Sequence, residues 1–255
     1  MARRTPAHRT YSTDRITVRW DSTRCIHTAR CLNALPRVFD VQARPWVDVD
    51  GADPDAIGEA VRTCPTGALR FERLDGGARD EPRRPTVAVP IPDGPLLVMG
   101  DVCVEGPDGE LLADDPRLTL CRCGRTRNQP FCDNSHLMAG FRSRKFEPRS
   151  EAGERPAQAE EESRTVVTAT RDGSLHFQGR VVVMTQQGDV LADADDLWLC
   201  RCGRSQSKPF CDLSHRGEFE SRLVHVEPAR SQAESPAAFE PNRHVAPEAH
   251  VDPST

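Results

Sequence analysis

Hydrophobic and polar positions alternate in short bursts along this chain, and between residues 94 and 203 the same pattern runs twice. GPLLVMGDVCVEGPDGELLADDPRLTLCRCG and GSLHFQGRVVVMTQQGDVLADADDLWLCRCG align without a gap. Gly94 stands with Gly173, Val102 and Val104 with Val181 and Val183, and Leu112-Ala113-Asp114 with Leu191-Ala192-Asp193. Such self-similarity marks two copies of one small module. Within each copy, apolar or alternating segments are parted by Gly-Pro-Asp-Gly or Gln-Gln-Gly-Asp, the punctuation of antiparallel strands. The last strand, Leu118-Thr119-Leu120 or Leu197-Trp198-Leu199, runs straight into a cysteine. Cys103 lies among valines where the second copy has Val182, and reads as a small buried hydrophobe.

A helical pattern occurs upstream. Ile57, Ala60 and Val61 recur at helical spacing behind Asp53-Pro54, an N-cap followed by the residue suited to the first helical position, which predicts a helix over 53–63. That helix delivers Cys64. Ile16-Thr17-Val18 and the stretch from Ala68 to Phe71 read as strands. Two polar, Pro-rich and charged stretches, 74–85 and 147–164, read as linkers, and the segment from Pro228 onward lacks periodicity and is predicted to be disordered. The expected layout is a small domain at 13–75, modules at 86–148 and 165–228, and a tail at 229–255. The fold class is α+β.

Composition narrows the possibilities. With 255 residues and 37% hydrophobic content, the chain has room for two or three small domains. Three Trp, nine Phe and one Tyr build thin cores, so small units need a further staple, and ten cysteines supply one. A net charge of −5 without a basic stripe leaves no electrostatic case for nucleic acid. The chain has no apolar run of about 18 residues to span a membrane, and no apolar core behind MARRTPAHRTYSTDR to mark a secretory leader. A cytoplasmic location is expected, where clustered thiols serve as metal ligands or redox groups rather than disulfides.

The cysteines are patterned. CRCGRTRNQPFCDNSH carries Cys121, Cys123, Cys132 and His136, and CRCGRSQSKPFCDLSH carries Cys200, Cys202, Cys211 and His215. A Cys-x-Cys turn aims two thiolates at one ion, and Gly124 or Gly203 lets the chain wrap closely round it. Cys132 and His136, like Cys211 and His215, are four residues apart, so on a first helical turn they share a face and a second metal ion. Such a helix would start near Cys132-Asp133-Asn134-Ser135, where its free N–H groups favour an anionic centre. Iron-sulfur ligation stands ahead of zinc here, although Cys3His is also an accepted zinc set, because zinc pairs are usually spaced by two to four residues. Arg122, Arg125, Arg127, Arg201 and Arg204 flank the thiols; the plain reading is solvated surface, the rival one an offset of cluster charge.

At these residues the chain resembles the CDGSH iron-sulfur family. Copy one supplies Thr126, Pro130, Cys132, Asp133, Ser135 and His136, and copy two supplies Ser205, Pro209, Cys211, Asp212, Ser214 and His215. The departure is the family's glycine, which is Asn134 in one copy and Leu213 in the other. The resemblance implies a 2Fe-2S cluster in each copy, one iron on the Cys-x-Cys pair and the other on Cys132 and His136, or Cys211 and His215. It also implies two β-rich modules that pair within the chain as a pseudo-dimer. One imidazole in place of a thiolate makes such a cluster less negative and easier to reduce, and makes it sensitive to acid.

The first domain has its own thiols. Cys25 and Cys31 are separated by five residues and Cys64 precedes Pro65, where bacterial ferredoxins use C-x2-C-x2-C with a distant Cys-Pro. Thr28 takes the place of the middle cysteine. Three thiolates fit a 3Fe-4S cluster, or a 4Fe-4S cluster completed by another ligand, for which His27 is the candidate. The stretch 13–75 resembles divergent single-cluster ferredoxin-like domains with CIH-type loops and CPTGAL ends.

The chain shows no Gly-rich dinucleotide loop, Walker sequence, HExxH helix or nucleophile elbow, so a redox carrier is expected rather than an enzyme. The leading expectation is a soluble electron carrier that exchanges electrons with redox partner proteins. The alternatives are a cluster store or donor to apo iron-sulfur acceptors, a redox or pH sensor, and a structural zinc protein. A monomer is expected, with no nucleic-acid partner and no membrane span.

Overall fold

The computed structural model describes residues 8–148 and 164–221, which are mostly β with few helices. Strands β1 (His8–Ser12), β2 (Ile16–Asp21) and β3 (Leu69–Arg73) form an antiparallel sheet in that order. Between β2 and β3 lie α1 (Arg30–Ala34) and α2 (Pro54–Arg62). Ile16 and Val18 alternate into a core that α2 closes with Ile57, Ala60 and Val61. The predicted helix start is present: the Asp55 N–H donates to the Asp53 carboxylate at 2.9 Å, with Pro54 in the first turn. One residue past the Thr63 C-cap comes Cys64, buried.

The two copies build the second sheet. β4 (Thr86–Pro90), β5 (Leu96–Met99), β6 (Val102–Glu105), β7 (Leu111–Asp114) and β8 (Arg117–Leu120) come from the first, and β9 (Thr165–Ala169), β10 (Leu175–Met184) and β11 (Val190–Leu199) from the second. All eight join one sheet in the order β7-β6-β9-β10-β4-β5-β8, with β11 against β10. β10 does the work of β5 and β6, bending at a register shift between Gln178 and Val181, and β11 does that of β7 and β8.

Pairing crosses between the copies. β4 runs parallel to β10 with Thr86 opposite Val181, and β9 runs parallel to β6 with Thr165 opposite Val102. In the repeat, Thr86 and Val102 become Thr165 and Val181, so this is one contact made twice. The buried Thr86 and Thr165 hydroxyls meet at 2.8 Å. Composition predicts thin separate cores; instead Leu96, Val104 and Leu118 of one copy share a single core with Leu175, Val183 and Leu197 of the other. Cys103 is buried in β6, as its valine neighbours predict.

The predicted ligand helix is largely missing. α3 (Ser135–Met138) starts at the end of the predicted range but has only four residues and leaves Cys132 outside it, and its cap residue Asn134 is left-handed at φ 68. In the second copy the corresponding Leu213 has the same φ, and only turns follow it. Each Cys and His pair is therefore held across a left-handed turn rather than along one helical face, which removes the expected helix-start contribution to an anionic centre.

A buried ion cluster joins the two sheets. Asp115 accepts from Arg24 and, at 2.7 Å, from Arg70 Nε, while Arg117 reaches the Cys64 carbonyl at 3.1 Å and Asp80 at 2.6 Å. Asp80 lies in the predicted linker 74–85, so that segment is anchored although it has no strand or helix. The other predicted linker and the predicted disordered tail fall mainly outside the described residues. Among the described residues no helix is long and apolar enough to cross a membrane.

Candidate metal centres

Each copy presents its candidate ligands as two pairs. Cys121 and Cys123 hold their sulfurs 3.6 Å apart, and Cys200 and Cys202 theirs 3.7 Å apart. Cys132 Sγ lies 3.6 Å from His136 Nδ1, and Cys211 Sγ 3.4 Å from His215 Nδ1. Two sulfurs ~2.3 Å from a tetrahedral ion stand about 3.8 Å apart, and a sulfur and an imidazole nitrogen about 3.6 Å apart. All four pairs therefore have the bite of a bidentate chelate. Every cysteine involved is a free thiol. Among the described residues no three His, Cys, Asp or Glu side chains stand close enough to hold a single metal ion.

Backbone contacts fix the pairs. The N–H groups of Arg125 and Asn134 donate to Cys123 and Cys132 sulfur, and those of Arg204 and Leu213 to Cys202 and Cys211, each at 3.4 Å. The Cys121 and Cys200 N–H groups donate to the Pro130 and Pro209 carbonyls, each at 2.8 Å. The residue after each third cysteine is the loop's brace: Asp133 accepts from the Arg127 and Ser135 N–H groups, and Asp212 from those of Gln206 and Ser214. Thr126 and Ser205 hydroxyls tie the loop to the Phe131 and Phe210 carbonyls.

Electrostatics suits an anionic group. Arg122 and Arg201 are 3% and 1% exposed, so the surface reading fails for them, while Arg125, Arg127 and Arg204 are exposed as it expects. Arg122 donates to the Ile91 carbonyl and the Ser143 hydroxyl, and Arg201 to the Gly173 and Thr170 carbonyls. Burial pulls both guanidinium groups down to about 10, and the thiols oppose it across the copies: Cys200 acts on Arg122 and Cys121 on Arg201. Arg201 Nη1 has no protein partner. A buried cation needs a counter-charge, and thiolates carrying metal supply one.

The thiols themselves divide. In each Cys-x-Cys pair, one thiol donates to the other and holds its proton more tightly while its neighbour releases one more easily, Cys121 above Cys123 and Cys202 above Cys200. Burial pushes Cys132 up to about 12. It also lowers both histidines, His136 and His215, which favours the neutral ring that a metal ligand requires.

The first domain gathers its candidates round one cavity of about 400 Å³. Cys25, Cys31, Cys64, His27 and Thr28 line it, with Trp20 and Trp46 on its wall. Burial and the neighbouring Cys64 and Cys25 push Cys31 up to about 11, and His27 Nδ1 lies 3.8 Å from Cys25 Sγ. Three thiols and an imidazole facing one cavity fit a thiolate-held iron cluster.

This ligand chemistry defines a class, the iron-sulfur-binding proteins, and comparison with known families bears it out. A divergent 4Fe-4S mono-cluster family matches residues 11–74, and the iron-binding zinc finger CDGSH type matches residues 93–137 and 172–216. The chain thus carries one divergent 4Fe-4S mono-cluster domain followed by two CDGSH iron-binding domains. It is 28% identical over 64 residues to the uncharacterized protein YjdI of Escherichia coli K12, a match covering 25% of this chain and 84% of that protein, and equally to YjdI of E. coli O157:H7. No solved structure matches.

Sequence reasoning missed Asn134 as a contact between the domains and the burial of Arg122 and Arg201. The signals were present: a non-glycine where the family has glycine, and an arginine confined between two ligands.

Proposed function

We propose that this chain is a soluble, cytoplasmic electron carrier. Each CDGSH module would hold a 2Fe-2S cluster on three cysteines and one histidine, and the N-terminal domain a 3Fe-4S or 4Fe-4S cluster on Cys25, Cys31 and Cys64, with His27 as the further candidate. The observation that carries this is the division of each ligand set into two chelating pairs. A binuclear cluster needs one pair per iron, whereas a structural zinc ion needs all four ligands at one point. Bound clusters would supply one-electron exchange at potentials that the protein sets.

The residues supply the rest. The Cys-x-Cys turn and the left-handed turn before the histidine hold the pairs, and the four N–H···S contacts spread thiolate charge into the backbone. Arg122 and Arg201 favour electron uptake, since each buried positive charge stabilises a more negative neighbour. The reciprocal β4–β10 and β6–β9 contacts support an intrachain pseudo-dimer within a monomer. The first sheet, with α2 laid on it, supports a ferredoxin-like reading of the first domain. No catalytic side chain is assigned, and the partners would be redox proteins.

Anaerobic purification with iron, sulfide and zinc counts tests the reading. A coloured protein with about seven or eight irons per chain and matching acid-labile sulfide is expected, with reversible reduction seen by absorption and electron paramagnetic resonance. A pale protein with bound zinc and no sulfide refutes it. A second reading, cluster donation, has one observation in its favour: His215 is more open than the buried His136. Transfer to an apo-ferredoxin, faster in mild acid and slowed by His215→Cys, would mark the second module as a donor; acid stability equal in wild type and variant would count against it.

A further inference from the structure

The first module and the N-terminal domain meet through their ligand loops. Asn134, where the CDGSH pattern has glycine, donates its backbone N–H to Cys132 sulfur at 3.4 Å and its side-chain Nδ2 to the Ile26 carbonyl at 2.8 Å. Ile26 stands between Cys25 and His27. Asn128 Nδ2 donates to the Thr23 carbonyl at 2.8 Å, two residues before Cys25. On the other side, the Cys132 N–H donates to the Thr119 carbonyl at 2.9 Å, and the Thr119 hydroxyl to the carbonyl of Pro65, next to Cys64, also at 2.9 Å. Two short chains of hydrogen bonds thus run from Cys132 to the flanks of Cys25 and Cys64.

Among the described residues the second module has no such links. Thr119 corresponds to Trp198 and Asn134 to Leu213, which are 42% and 50% exposed. The loop that Asn134 holds has little structure of its own: His27 and Ala29 are left-handed, and α1 has five residues and no side-chain cap. Such a loop depends on outside partners for its order.

We infer that Asn134 is a coupling residue that ties the order of the Cys25–Cys31 loop to metal occupancy at Cys132 and His136, so that the N-terminal site and the first module load as one unit while the second loads alone. The inference rests on the metal-binding reading above. Its physical basis is that one residue bears on both loops: its N–H is oriented by the Cys132 sulfur, and its carboxamide holds the Ile26 carbonyl. Linkage is reciprocal, so an ordered N-terminal loop also favours metal at the first module.

The test is amide hydrogen exchange across residues 23–31 of the full-length, iron-loaded protein, with iron content measured in parallel. Asn134→Gly keeps a residue at ease at positive φ and removes only the side-chain bond. It should speed exchange there about 2- to 12-fold, the worth of one such bond, while Leu213→Gly leaves it unchanged. His136→Ala, which strips a ligand, should speed exchange at 23–31 in the wild-type background and add nothing in the Asn134→Gly background; His215→Ala should do neither. A merely structural Asn134 would give the same His136→Ala increment in both backgrounds, and that result overturns the coupling. So does unchanged exchange at 23–31 after iron is lost from the first module. A preparation without iron or acid-labile sulfide overturns the iron-sulfur reading instead, while the Asn134→Gly comparison still reads the tether.

Discussion

Asp115→Ala should weaken the joint between the domains more than any surface substitution. The Asp115 and Arg24 side chains are 2% and 6% exposed, and Asp115 also receives Arg70, whose side chain is 40% exposed. Removing one partner of a buried pair leaves an uncompensated charge at a cost of about 3–5 kcal/mol. Arg70 can turn to water. Arg24 cannot, although it keeps its place over the Phe131 ring at 5.0 Å and a contact to the Arg117 carbonyl. Burial also raises the Asp115 pKa and lowers that of Arg70 against their mutual attraction, so the pair is not a large net gain to lose. These offsets put the loss near the low end, about 3 kcal/mol.

Urea denaturation followed by Trp fluorescence reads this directly, since Trp20 and Trp46 lie in the first domain. The matching double change, Arg24→Met with Asp115→Leu, should return to within about 1 kcal/mol of wild type, because it removes the cost of burying both charges. A loss below about 1 kcal/mol for Asp115→Ala, or a double variant no better than the single, would show that this cluster is solvated and does not hold the domains together.

Further outcomes follow from single sites. Gly124→Ala should cost more than about 2 kcal/mol, since a Cβ there meets the Cys202 carbonyl at 2.6 Å at φ +71, whereas Gly109→Ala, at φ +79 in open space, should cost only about 1; thermal melts compare the two. Leu213→Gly should stabilise by up to about 1 kcal/mol by relieving a left-handed leucine, read from the same melts. Removing iron with a chelator should lower the melting temperature of the eight-stranded unit by several degrees, because metal binds only the folded ligand set and because Arg122 and Arg201 lose their counter-charge; an unchanged melt would mean the metal contributes nothing to folding.

The candidate ligands stand out in the sequence because chemistry confines them: three cysteines and a histidine kept twice at one spacing have few other readings. The strands were legible too, as Leu118-Thr119-Leu120 and the Asp53-Pro54 helix start show, since alternation and capping are local signals. The sharing of strands between copies was not derivable from the pattern alone, because a parallel neighbour from another copy leaves the same apolar row as an antiparallel one from its own. Nor was the ligand helix correctly read. Four-residue spacing suits a helix, but Asn134 and Leu213 take left-handed backbone that lets the sulfur accept an N–H, and the turn closes that way instead. The burial of Arg122 was only half legible: its place between two cysteines was a signal, but one of the thiols that act on it, Cys200, comes from the other copy.

Joining both copies in one chain permits an asymmetry that two identical subunits cannot have. In a symmetric pair, any residue placed at the face beside Cys132 appears again at the face beside Cys211. Here the first face carries Thr119 and Asn134 and is closed by the N-terminal domain, while the second carries Trp198 and Leu213 and stays open. The centre of the molecule keeps its symmetry, because Gly124 lies against the Cys202 carbonyl and Gly203 against that of Cys123, and because Arg122 and Arg201 each feel a thiol of the opposite copy. The two outer faces have therefore diverged while the contacts at the centre were kept. Changes on those faces alter what each module touches without moving any of its four candidate ligands, so among the described residues the first module is committed to a neighbour within the chain while the second leaves Trp198 and Leu213 exposed.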